Sequence, residues 1–89
     1  MSQEHGLTPR QVEIVRLLSL GCTVKETARL LGLAPSTVDN HRARAMETLG
    51  TDKAVLLARL AMWYGITTPE ETLTPAEKRK SGRPNDGWN

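Results

Sequence analysis

The sequence predicts an all-α fold of four short helices followed by a flexible C-terminal tail, on three observations. Threonines open two apolar stretches with a Gln or Glu three residues on, the spacing of a capping box. Glycines follow the apolar stretches at the points where helices would stop. Within the stretch 35–49, Val38, Ala45 and Leu49 share one side and Asp39, Asn40, Ala43, Arg44 and Glu47 the other, which is helical spacing with a buried stripe.

The first helix is expected from Pro9. Thr8 is the N-cap, Pro9 suits the first helical position, Gln11 completes the box, and Leu7 and Val12 are spaced as a hydrophobic staple. Val12, Ile14, Val15, Leu17 and Leu18 supply a wide inward face, and Gly21 stops the helix after Leu20. Thr23 caps a second helix with Glu26 as reciprocal partner, and Ala28, Leu30 and Leu31 pack inward before Gly32. Gly32-Leu33-Ala34-Pro35 is a tight turn in which glycine can take positive φ, Leu33 can plug the core and Pro35 starts the next helix. Two helices joined this way, the second with a polar outward face, make a helix-turn-helix, although a generic helical hairpin would share the glycine turn.

After Leu49-Gly50, Thr51 or Asp52 is the expected cap of a fourth helix. From Lys53 to Ile66 only Lys53 and Arg59 are charged, and apolar residues run nearly all the way round. A small monomer cannot cover two apolar sides of one helix, so the second side is expected to meet another copy about a two-fold axis. Residues 1–66 are therefore read as the domain. Residues 67–89 are read as a largely flexible tail with a short helix near 75–80, after Thr74-Pro75. Lys78, Arg79, Lys80 and Arg83 are either a basic arm along phosphates or a solvated end, and the second is preferred. Leu73-Thr74-Pro75 repeats the wording of Leu7-Thr8-Pro9 and is taken as reuse of helix-start chemistry. Trp88 has no assigned role.

Composition bounds the function. At 89 residues, 38% hydrophobic and 3% aromatic, the chain suffices for one small domain. It has no run of about 18 apolar residues and no charged-then-apolar leader, so neither membrane insertion nor secretion is expected and the expected location is cytoplasmic. A single cysteine, Cys22, rules out an internal disulfide and a cysteine-cluster metal site; it reads as a small buried thiol at a helix–helix turn. Lys and Arg total 12 against 10 Asp and Glu, a net +2, so affinity for DNA would rest on where the charges sit. His41 has no second ligand one turn away and His5 lies in the terminus, which excludes a metal site. No phosphate loop and no converging His and carboxylates appear, so no enzyme, cofactor or small-molecule ligand is expected.

Leu7-Thr-Pro-Arg, Gly21-Cys-Thr-Val-Lys-Glu-Thr-Ala28, Leu31-Gly-Leu, Thr37-Val-Asp-Asn-His-Arg-Ala-Arg44 and Leu49-Gly50 together resemble the LuxR-type DNA-binding domain, the output module of many bacterial response regulators and quorum sensors. The resemblance spans about Leu7–Ile66 without a gap. In wording it looks most like the FixJ and NarL type. It implies a four-helix domain that binds double-stranded DNA as a homodimer, with the third helix in the major groove and the fourth at the dimer contact.

Carried over by position, Asp39, Asn40 and Ala43 fall where the family touches bases, with Arg44 beside them. Lys25, Ser36, Thr37, His41 and Lys53 fall near phosphates, and Val55, Leu56, Arg59, Leu60 and Trp63 at the dimer contact. Asn40 suits adenine, because its amide can pair with N6 and N7 together. Arg44 could reach guanine or a phosphate, pair with Glu47, or simply be solvated.

Three departures stand out. Many members carry Lys or Arg where this chain has Asp39 or Ala43; Asp39 could accept from cytosine N4, or hold Arg42 or His41 in place. Gln11 replaces a usual Glu and still serves the capping box. Only six residues precede Leu7, so the chain reads as a stand-alone effector in preference to a fragment of a longer regulator. Two rivals remain. One is a protein-interaction module whose degenerate helix-turn-helix leaves the fourth helix to capture a partner regulator. The other is a sigma-factor-like promoter-reading domain, against which the hydrophobic fourth helix argues.

Overall fold

A computed structural model describes residues 5–82, and within them the chain is all-helical. The helices are α1 (Pro9–Ser19), α2 (Val24–Leu31), α3 (Pro35–Leu49), α4 (Ala54–Trp63) and α5 (Pro75–Ser81). Among the described residues no helix is long and apolar enough to cross a membrane.

The two capping boxes form as the spacing predicts. The Thr8 hydroxyl accepts from Gln11 N–H at 3.2 Å while Gln11 accepts from Thr8 N–H at 3.1 Å. Thr23 and Glu26 do the same at 3.1 and 2.8 Å. Gly32, at φ 69°, ends α2 in the left-handed region, and Leu33 N–H reaches back to Ala28 C=O at 2.9 Å. This six-to-one closure lets the chain reverse within three residues and start α3 at Pro35. Gly50, at φ 76°, closes α3 the same way, with Thr51 N–H on Met46 C=O at 3.0 Å.

The fourth helix begins differently from expectation. Neither Thr51 nor Asp52 caps it: the N-cap is Lys53, with no side-chain cap, and the Thr51 hydroxyl accepts from Lys53 N–H at 3.2 Å. The hydroxyl is spent on a local turn before the helix, a competing use that Thr side chains share with capping. His5, expected in a loose terminus, accepts from Leu7 N–H at 3.0 Å and meets the Tyr64 ring edge-on at 5.9 Å between centroids.

Three small apolar clusters make the core. Val15, Ala45, Met46, Leu57 and Ala61 join α1, α3 and α4. Ile14, Ala28 and Val38 join α1, α2 and α3, with Leu33 packed against them from the turn. Leu17, Cys22 and Leu30 form the third, and its remaining member is Leu73, which is 3% exposed.

Leu73 precedes α5, so the segment after α4 returns to the domain. Arg16 of α1 clamps it. Its Nε donates to Glu71 at 2.7 Å, and its two terminal nitrogens donate to Glu77 at 2.9 and 3.3 Å. Thr74 and Glu77 form a third capping box on α5, so the repeated Leu-Thr-Pro wording does carry helix-start chemistry. The fork of Arg16 holds the Glu77 carboxyl below the usual glutamate range, chiefly through the hydrogen bond. Ser81, which the sequence assigns to the flexible end, is buried at the close of α5. Arg83 and Trp88 lie outside the described residues.

Candidate nucleic-acid interface

α3 lies across α1 and α2, held by Val38, Ala45 and Met46, all buried. Its opposite face is open. Ser36, Asp39, Asn40, Ala43, Arg44 and Glu47 are exposed, and Thr37 and His41 are half-buried at the margin. Ser36, Asn40, Ala43 and Glu47 succeed one another at three- and four-residue steps, so they form one ridge along the helix. The short side chains at Ser36 and Ala43 leave room for a close approach, and the Asn40 amide stands between them.

Asp39 sits at the edge of this ridge and is already engaged. A single carboxylate oxygen accepts from Arg42 Nε at 3.0 Å and from its terminal nitrogen at 2.7 Å. Arg42 in turn lies against the Met46 sulfur at 3.9 Å, and the pair stays largely exposed at the margin of the helix. Of the two structural roles open to Asp39 in the sequence, holding Arg42 is the one formed. The negative charge of Asp39 is thereby matched locally by a cation, whereas Glu47 on the ridge has no ion-pair partner among the described residues. Arg44 has no ion-pair partner among the described residues, Glu47 included, and its guanidinium is exposed.

The remaining polar positions frame α3. Lys25 is exposed in the first turn of α2, and Lys53 is exposed ahead of α4. α3 opens on Ala34 without a side-chain cap, so the Ser36 amide projects from a helix N-terminus where an anion is favoured. Among the described residues no group of three His, Cys, Asp or Glu could hold a metal ion.

α4 presents a second kind of surface. Val55, Leu56, Met62 and Trp63 are the exposed large hydrophobics of the described residues, and all four belong to α4. Val55 is 74% exposed and Trp63 64% exposed, while Leu57 and Ala61 on the other side are buried. A shallow groove lined by Leu49, Leu56, Arg59, Leu60 and Trp63 runs beside them. Met62 is not among the interface residues expected from the sequence; its seven-residue step from Val55 would have included it.

Residues 5–61 match the family model described as bacterial regulatory proteins, luxR family. The chain belongs to this family. The matched segment is its DNA-binding helix-turn-helix module, which belongs to transcription regulators and is not enzymatic. The transcriptional regulatory protein UhpA of Escherichia coli (strain K12) is 49% identical over 57 residues, covering 64% of this chain and 29% of UhpA. The uncharacterized response regulatory protein YgeK of the same organism is 36% identical over 67 residues, covering 75% of this chain and 46% of YgeK. The transcriptional regulatory protein MctR of Rhizobium johnstonii is 36% identical over 62 residues, covering 70% and 29%. This chain thus spans less than half the length of these curated relatives. No solved structure matches it at comparable significance. The family match stops at residue 61, so the Arg16 clamp and α5 lie beyond it or join residues on both sides of its end.

Proposed function

We propose that the chain is a sequence-specific transcription regulator that binds duplex DNA as a homodimer, with α3 in the major groove. The observation that carries this is the open polar ridge of α3, with Asn40 at its middle and the Asp39 charge matched by Arg42. Asn40 pairs with adenine across N6 and N7. Ala43 gives the close approach beside it, Arg44 reaches guanine or a phosphate, and Asp39 stands by as an edge acceptor for cytosine. Lys25, Ser36, Thr37, His41 and Lys53 fix the helix on the phosphates.

The α4 face made by Val55, Leu56, Arg59, Leu60 and Trp63 pairs with its own copy, and Met62 extends it. The site is then a pseudo-palindrome with half-sites about one helical turn apart. Asn40→Ala is expected to cost roughly 1–3 kcal/mol of discrimination at one base position per half-site and little elsewhere. Competition binding against duplexes changed one base pair at a time measures this. An unchanged preference at every position would remove Asn40 as a base reader.

The same α4 face supports a second reading, a module that captures a partner regulator. Its mark would be self-association or partner binding with no affinity for duplex DNA at low salt.

A further inference from the structure

The basic residues after the family match are not scattered. α5 packs on α2, and the Arg29 guanidinium lies over the end of α5, donating to the Ser81 carbonyl at 3.4 Å. It lies so close that a Cβ added at Gly82 would fall on it. Arg29, Arg79 and Lys80 are exposed and Lys78 half-buried, so two packed helices carry four cations, one on α2 at the junction and three fanned around the last turn of α5. None has an ion-pair partner among the described residues. The neighbouring carboxylates are committed: Glu71 and Glu77 to Arg16, and Glu26 to the Thr23 capping box. Lys25 lies one turn before Arg29 on the same side of α2, which continues the strip towards the α2 N-terminus.

The position of the strip follows from the packing. α3 meets α2 through Ala28 and Val38, whereas α5 meets α2 through the side bearing Arg29 and Leu30. α4 packs on α1 and α3, and its backbone makes no close approach to that of α5. α5 thus lies beside α2, the first helix of the helix-turn-helix, which in such motifs crosses the phosphate backbone.

On this geometry we infer that Arg29, Lys78, Arg79 and Lys80 form a second phosphate-binding surface, which holds the DNA backbone flanking the site that α3 reads. This rests on the DNA-binding proposal above. The surface adds affinity without reading sequence, and it makes up for the small net charge of the domain by placing cations where phosphates run.

The test uses the full chain and a duplex selected from a randomised pool, made in two lengths. One ends at the edges of the selected site, and the other carries about one helical turn, roughly 10 base pairs, more on each side. The wild-type chain is expected to bind the longer duplex about tenfold more tightly. A triple Lys78→Ala, Arg79→Ala, Lys80→Ala variant is expected to lose that advantage and bind the shorter duplex as the wild type does. Its salt slope on the longer duplex should fall by about 0.9 for each phosphate that the chain no longer neutralises.

Lys78→Arg with Lys80→Arg keeps the charge and is expected to keep the advantage. Should the triple variant fold poorly, the double variant at the two exposed positions, Arg79→Ala with Lys80→Ala, reads the same loss. Equal binding of both lengths by the wild type would overturn the inference, as would equal length dependence in wild type and variants. In either case site recognition sensitive to Asn40→Ala would leave the DNA-binding proposal standing. Failure of the wild type to retain any duplex would sink both.

Discussion

Leu73→Ala is expected to destabilise the domain by about 2–5 kcal/mol, although Leu73 lies twelve residues past the end of the family match. Leu73 is 3% exposed and closes the cluster of Leu17, Cys22 and Leu30. Truncation removes buried methyl groups and leaves a hole that α1 and α2, anchored elsewhere in the core, can fill only in part. For a domain of this size, 2 kcal/mol lowers the melting temperature by roughly 8–16 °C. Glu70→Ala, at an exposed neighbouring position, should change stability by less than about 0.5 kcal/mol.

The same segment gives the fold an acid-sensitive component. The Glu77 carboxyl titrates lower in the folded chain than in the unfolded one, so the Arg16 clamp contributes fully above about pH 4.3 and loses its contribution as pH falls through the lower folded value. Glu77→Gln should flatten that part of the stability profile. Thermal melts of the three variants across pH check both statements. A Leu73→Ala variant as stable as Glu70→Ala would place residues 67–82 outside the folded unit.

Placing glutamate at Leu56 and Trp63 together should abolish dimerisation and reduce affinity for the selected duplex by about 100-fold or more. Both side chains are exposed on α4 and neither belongs to a core cluster, so the fold should survive. A dimer engages the second half-site at a high effective concentration, an advantage typically worth two to four powers of ten, and a monomer gives it up entirely. Two carboxylates on each copy, facing their own images across a two-fold axis, would oppose the pairing strongly. Sedimentation at micromolar concentration reads the mass, and titration of labelled duplex reads the affinity. A variant that remains dimeric would move the interface off α4.

What the sequence makes legible is local. The capping boxes at Thr8 and Thr23, the glycine closures at Gly32 and Gly50 and the two-sided α3 depend on residues within one or two turns of each other, and all of them form. Two features escape such reading. The cap of α4 turns on whether the Thr51 hydroxyl serves the helix or the preceding turn, a choice between bonds of similar strength. The docking of residues 67–82 depends on Arg16 meeting Glu71 and Glu77, separations of 55 and 61 residues. A Pro-, Thr- and Glu-rich stretch with one leucine therefore looks like a tail. Leu73-Thr74-Pro75 with Glu77, the same capping arrangement that starts α1, announces the short helix but not its docking. On α3, the pairing of Asp39 with Arg42 was one of several options in the sequence, because either Arg42 or His41 lay within reach of the carboxylate.

In the proposed complex α3 reads DNA while α4 pairs two copies. Binding of the purified chain to a randomised duplex pool at about 50 and 200 mM salt, with sequencing of what is retained, tests it most directly. The expected result is a two-fold symmetric motif, half-sites about one helical turn apart, and retention that falls steeply with salt. Weak retention with no enriched sequence would contradict it and leave α4 as a surface for a protein partner.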